Sequence, residues 1–224
     1  MRPIVGGAPV ARAAVALDEE TVAAAEHFGR GFPAEDERGV MAVIEIPAGT
    51  TAKFEVADGD GWLHWQHDRE TGARRGIDYL AFPVSYGMVP RTLADDGDAL
   101  DIIVLGAAIE RGRVTPTRVI GVLEMGDVDE EGRVTERDDK LVAVPLEEDL
   151  ACGFSRLRDL GELDAAYPNA RAILELWFAS YWGLGRTHVL GWGDAPAARD
   201  VLERGKQAFG AARTDRIAAQ RGAL

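Results

Sequence analysis

The chain has 224 residues, 46% hydrophobic and 28% charged, a composition suited to one large domain with a substantial core. Its formal net charge of −13 argues against a nucleic-acid surface, which gathers positive charge against phosphate. No run of about 18 apolar residues is present to span a bilayer, and Cys152, the only cysteine, excludes an intrachain disulfide and a thiolate-rich zinc site.

Residues 1–39 read as an N-terminal extension. Its opening, MRPIVGGAPVARAAVAL, lacks the sustained apolar region of a secretion signal, so a cytoplasmic location is expected. In the following LDEETVAAAEHFG, Asp18 can cap a short helix that Gly29 would end, so a peripheral helix or a partly ordered arm is expected. From Val40 the texture changes to short alternating or β-branched segments: VMAVIEIP, AKFEVA, WLHWQH, LDIIVLG, TRVIGVLEM and KLVAVP. Gly, Pro or Asp punctuates them, a spacing that predicts a barrel or sandwich. After Pro145 the period lengthens toward helices. PNARAILELWFASYWG repeats apolar residues at helical spacing, and DAPAARDVLERGKQAF opens with Asp194 as cap and Pro196 in the first turn. Residues 40–210 are therefore read as one domain with C-terminal helices, and 211–224 as a tail.

The stretch ADDGDALDIIVLG, Ala94 to Gly106, crowds Asp95, Asp96, Asp98 and Asp101 at the mouth of an apolar strand. Like charges repel, and more strongly as the dielectric falls, so something must offset that cost. Strand alternation puts Asp101, Ile103 and Leu105 on one face and Leu100, Ile102 and Val104 on the other, so Asp101 begins a strand apolar on both faces. Hard-metal ligation is one account of such a carboxylate, and a solvated turn is the other. An EF-hand does not fit, because counting from Asp96 there is no glycine at the sixth position and Ala107 stands at the twelfth. A second acidic stretch, GDVDEEGRVTERDDKLVAVP, reads as a solvated hairpin tip whose ends, Asp127 and Asp138, border strands. Glu45 shares a strand face with Val43 and Met41, and Lys53 shares one with Glu55. His64, His67 and His188 lack a matching ligand set and are read as surface or structural residues.

Taken in order, IEIPAG, KFEV, FPVSYG, DDGDALDIIVL, GVLEM-x-D, DDKLVAVP and WFASYWGL resemble the soluble family I inorganic pyrophosphatases, over roughly Val40 to Phe209. The resemblance implies an α+β fold with a mainly β core: an OB-like closed β-barrel of about five strands with flanking helices. It implies Mg²⁺-dependent, or Mn²⁺-dependent, hydrolysis of pyrophosphate to two orthophosphates, with several ions per site. By position it implies Asp96, Asp101 and Asp138 as ligands of the tightest metal, with Asp101 bridging to a second. Asp98 is the implied general base toward a metal-activated water. Asp127 would join Asp138 on metal arriving with the substrate, and Glu45 and Glu55 would act on metal through water. Lys53, Arg74, Tyr86, Lys140 and Tyr181 occupy phosphate-contacting positions. Such a site reconciles an acidic chain with an anionic substrate, because the carboxylates bind cations first. The partners expected are therefore pyrophosphate and, by the same resemblance, further copies of the chain in a homo-oligomer such as a hexamer, with neither nucleic acid nor membrane.

The chain also departs from the family pattern. Ala99 replaces a proline, Trp182 replaces a lysine that Arg186 could substitute, and Phe82 and Met88 stand where many relatives carry tyrosine. Because these changes reshape the pocket wall, a relative acting on another phosphoanhydride, or a non-catalytic metal- and pyrophosphate-binding module, are the alternative readings. The family spacing to Tyr86 implies Arg74 in place of Arg75, and its fixed step to Lys140 implies Asp138 in place of Asp139.

Overall fold

The structure is a computed structural model that describes residues 14–16 and 19–222 apart from 130, 132 and 182–186, with backbone alone at 14–16 and 215–222. Asp18, Trp182 and Arg186 lie outside the described residues.

Among the described residues the fold comprises two sheets and five α-helices. The chain opens with β1 (Ala14–Ala16), β2 (Thr21–Ala24), a one-turn helix α1 (Phe28–Gly31) and a short β3 (Glu35–Asp36). The strands β4 (Gly39–Ile46), β5 (Phe54–Val56), β6 (Leu63–Trp65), β7 (Ser85–Met88) and β8 (Asp101–Val104) follow. Next come the long β9 (Val114–Val128), β10 (Val134–Arg137) and β11 (Lys140–Pro145). Helices α2 (Glu148–Ala151), α3 (Leu160–Ala166) and α4 (Ala170–Ser180) precede β12 (His188–Gly193) and the C-terminal α5 (Ala195–Gly222).

Strand β4 pairs with both β7 and β9, so β4, β7, β8, β11 and β9 close into a ring of five strands. The ring and flanking helices agree with the expected architecture. Strand β8 lies inside it, with antiparallel β7 on one side and parallel β11 on the other. Its alternation is as expected: Ile103 and Leu105 pack with Trp177 and Phe178 of α4, while Ile102 and Val104 pack with Ala198, Val201 and Leu202 of α5. A strand covered on both faces needs apolar residues at every position, which explains the unbroken IIVL run. Asp101 is the polar residue at its open end.

Three segments depart from the sequence expectation. The stretch expected as a helix after Asp18 instead holds β2, whose Thr21 and Val22 pair with His64 and Leu63 of β6. The β-branched pair Thr-Val suits a strand, and the hydrogen bond from Trp65 N–H to the Glu20 carbonyl extends the pairing. Residues expected as a tail belong to α5, which continues to Gly222. The segment after α4, read with the helices, contains β12, which pairs with β9. The cap of α5 is as expected, since the Ala197 N–H donates to Asp194 Oδ1 at 3.0 Å.

Candidate active site

A cavity of about 580 Å³ opens where β8 and β11 begin, lined by Glu45, Glu55, Asp96, Asp98, Asp101 and Asp138. Four local devices bring these carboxylates together. The loop before β8 turns at Gly97, whose φ of +92° lies in the region that favours glycine. There Asp96 Oδ1 accepts the Asp98 N–H at 3.0 Å, the geometry of an Asx turn. Buried Thr92 holds the loop base, its hydroxyl donating to the Val89 carbonyl at 2.6 Å and accepting the Leu100 N–H at 2.9 Å. Parallel pairing of β8 with β11 then sets Lys140 directly beside Asp101.

Lys140 is the most deeply buried charge of the site, with its side chain 1% exposed. Its Nζ donates to Asp101 Oδ2 at 2.6 Å, Asp138 Oδ1 at 2.8 Å and the Tyr86 hydroxyl at 3.3 Å. Burial alone would depress the ammonium, but Asp101 and Asp138 outweigh it and raise its pKa, so Lys140 stays charged. Burial pushes the Asp138 carboxyl up to about 6 against the pull of Lys140, with Asp101 and Asp96 adding repulsion. Asp138 and Asp139 point in different directions. Asp138 faces Lys140, two residues on, whereas Asp139 turns to accept from Arg137 at 2.9 Å and from the Met125 N–H at 3.2 Å.

Glu45 sits where the register of β4 against β7 shifts between Ile44 and Ile46, a local irregularity that re-aims a side chain. It is buried, its Oε1 accepting the Val56 N–H at 3.0 Å. Burial first, then the charges of Asp101 and Glu55, raise its carboxyl well above the usual range. Lys53 and Glu55 share a face as expected, 2.8 Å apart. Asp98 stands at the mouth, its pKa raised by desolvation and then by Asp96, Glu55 and Asp101. Tyr86 and Tyr181 line the inner wall. Tyr181 stacks on Trp177 with centroids 4.9 Å apart, and Phe82 packs among Tyr86, Trp177, Phe178 and Tyr181.

Two expected residues lie apart from this wall. Asp127 lines an adjoining hollow of about 150 Å³ that shares Asp96 and Asp138 with the main cavity. Arg74 does not line the cavity: its Nε donates to Glu20 at 2.7 Å and its guanidinium lies 4.8 Å from the Trp65 ring centroid. Glu20 immediately precedes β2, a strand where the sequence pattern predicts helix, so the sequence does not point to this competing partner. Conversely, His27, Arg30, Asp58, Phe209 and Arg213 line the cavity without having been singled out. Only Phe209 and Arg213 carry a sequence signal, their i, i+4 spacing on a helix that continues past residue 210.

The donor set is entirely oxygen, with burial first and neighbouring carboxylates second raising Asp98, Asp138 and Glu45, an environment that a hard divalent cation relieves. Among the described residues no three such side chains converge closely enough to grip an ion as they stand. Lys140 occupies the space between Asp101 and Asp138 and neutralises them in its place.

Comparison with known proteins follows the same lines. The inorganic pyrophosphatase family model matches residues 42–209. The inorganic pyrophosphatase of Rhodospirillum rubrum is 35% identical over 175 residues, covering 74% of this chain and 86% of that protein. That of Sulfolobus acidocaldarius is 32% identical over 168 residues, covering 73% and 87%. The crystal structure of the inorganic pyrophosphatase from Thermus thermophilus superposes with a TM-score of 0.67 at 26% identity, covering 83% of this chain and 99% of that one. With the match spanning nearly the whole five-strand ring and the acidic loop at its mouth, the chain belongs to the inorganic pyrophosphatase family.

Proposed function

We propose that this chain hydrolyses inorganic pyrophosphate to two orthophosphates with divalent metal, Mg²⁺ or Mn²⁺. The observation that carries the reading is the meeting of Asp96, Asp98 and Asp101 with Asp138 and Lys140 in one cavity. Asp96, Asp101 and Asp138 are the residues that would hold the first ion, with Asp127 on metal accompanying substrate and Glu45 and Glu55 acting through water. When bound, such ions polarise phosphoryl oxygens and lower the pKa of water at the site.

The chain's own groups supply the rest. Asp98, its pKa raised toward the working pH, takes the proton of the attacking water, because a base is most effective when its pKa nears ambient pH. Tyr86 is held protonated by burial and by the Asp101 charge, so it serves as a hydrogen-bond donor. Lys53, Lys140 and Tyr181 orient the phosphoryl groups and complement their charge. Arg74 would have to leave Glu20 to join them.

The test is phosphate release from pyrophosphate as Mg²⁺ is titrated into the full chain. Metal-dependent turnover is expected; its absence would overturn the reading. No helix among the described residues is long and apolar enough to cross a membrane; a cytoplasmic location is proposed from the single cysteine. Exposed Ile173 and Leu176 on α4, with exposed Leu80, favour assembly into a homo-oligomer, a hexamer being the specific expectation, and sedimentation measures it directly.

A further inference from the structure

The cations around the cavity are not equivalent. Lys140 is locked between Asp101 and Asp138, and Lys53 lies 2.8 Å from Glu55. Arg30 of α1 and Arg213 of α5 line the same cavity from outside residues 42–209. Arg30 reaches the Asp58 carbonyl at 3.4 Å and its fully exposed carboxylate at 3.7 Å, a pair that solvent screens. Arg213 makes no hydrogen bond or ion pair among the described residues. These two guanidinium groups can therefore turn onto an anion without breaking a buried pair.

Their positions are built by the backbone. Helix α1 is suspended between the Phe28 N–H bond to the Gly61 carbonyl and the Arg91 N–H bond to the Gly29 carbonyl, both 2.9 Å, and Arg91 Nε donates to the Arg30 carbonyl at 2.9 Å. Helix α5 lies against the base of the acidic loop at Gly205, whose carbonyl accepts the Leu93 N–H at 3.0 Å. A Cβ on Gly205 would fall 2.5 Å from Leu100 Cδ1, so only glycine allows that approach. Phe209, Ala212 and Arg213 then face the cavity at helical i, i+3, i+4 spacing.

A third group points the same way. His27 lines the cavity, and its Nδ1 accepts the Gly29 N–H at 3.1 Å, so in the neutral ring Nε2 carries the proton. That Nε2 is buried and has no partner among the described residues. A buried donor without an acceptor is rare in folded proteins and fits a ligand oxygen.

We propose that Arg30, Arg213 and His27 Nε2–H form an anion subsite of this chain that holds a phosphoryl group of the substrate. The assignment rests on the pyrophosphate reading, and its test separates the two. Pyrophosphate hydrolysis and calorimetric binding of inorganic phosphate, both with Mg²⁺, are compared for the natural chain, Arg213→Gln, Arg213→Lys and the double variant Arg30→Gln/Arg213→Gln. Loss of a charge-assisted hydrogen bond is expected to raise KM and weaken phosphate binding by roughly tenfold in Arg213→Gln, and further in the double variant. The kcat should stay within about twofold, Arg213→Lys should recover part of the affinity, and the melting temperature should hold because both arginines are exposed. Phosphate affinity unchanged in the double variant overturns the subsite, whether or not the natural chain turns over. Weakened phosphate binding in a chain that does not hydrolyse pyrophosphate would keep the subsite and remove the hydrolytic reading.

Discussion

Lys140 and Asp101 occupy the same register of a parallel strand pair, and their side chains meet at 2.6 Å. The ammonium thereby does the electrostatic work of a cation in the metal-free chain, offsetting both Asp101 and Asp138. Lys140→Met removes it and leaves two carboxylates facing each other. A loss of roughly 3 kcal/mol is expected, the low end for breaking a buried pair because both carboxylates keep some exposure. Part of that loss should return when Mg²⁺ is added, since an ion can take over the lysine's charge. Urea unfolding with and without Mg²⁺ measures both; a variant as stable as the natural chain refutes the first claim.

Asp98 makes the most demanding kinetic prediction. Asp98→Asn keeps the shape of the mouth but cannot accept a proton, and kcat should fall by about 10²–10⁴. Pyrophosphate KM should change much less. An unimpaired Asp98→Asn enzyme would remove Asp98 as the base.

Neighbouring Asp138 and Asp139 should separate cleanly. Asp138→Asn should weaken Mg²⁺ binding by calorimetry, because that carboxylate faces the cavity. Asp139→Asn loses charge toward Arg137 and should cost about 1–3 kcal/mol of stability while leaving Mg²⁺ affinity in place. Equal effects of the two on metal binding would contradict the opposed directions of their side chains.

Gly205→Val tests the approach of α5. The added side chain meets Leu100 and Thr92, and overpacking of this kind costs typically 1–3 kcal/mol. A lower melting temperature with raised pyrophosphate KM is expected, since displacing the helix moves Arg213. A variant that melts higher would mean that helix propensity outweighs the contact.

The stability of the metal-free chain should fall as pH rises through the acidic range. Glu45 has a raised carboxyl pKa because it is buried and faces Asp101 and Glu55, and Asp138 is raised to about 6 chiefly by burial. The folded chain then holds protons that the unfolded chain has released, so the slope of stability with pH is negative there. The urea midpoint of Glu45→Gln should decline less steeply than that of the natural chain as pH rises above the ordinary carboxylate range. Parallel curves for the two would refute the assignment to Glu45.

What the sequence determined by itself lies at short range. The Gly97 turn, the face shared by Asp101 with Ile103, the pairing of Lys53 with Glu55 and the Asp194 cap of α5 all rest on neighbours within one turn or one strand. The family resemblance, through its fixed step to Lys140, implies Asp138 in place of Asp139, and Asp138 lies 2.8 Å from the lysine. Tertiary structure decided whatever depended on an unnamed partner. Thr21 and Val22 form a strand because β6 offers an edge to pair with, and Glu20, just before that strand, holds Arg74 outside the cavity. The parallel register that sets Lys140 on Asp101 joins residues 39 positions apart. The reach of Arg213 into the cavity depends on how closely α5 can lie on Leu100, a contact that neither segment encodes alone. Local pattern assigns a side chain its face and its turn; which charge it meets there is settled only when distant backbones pack.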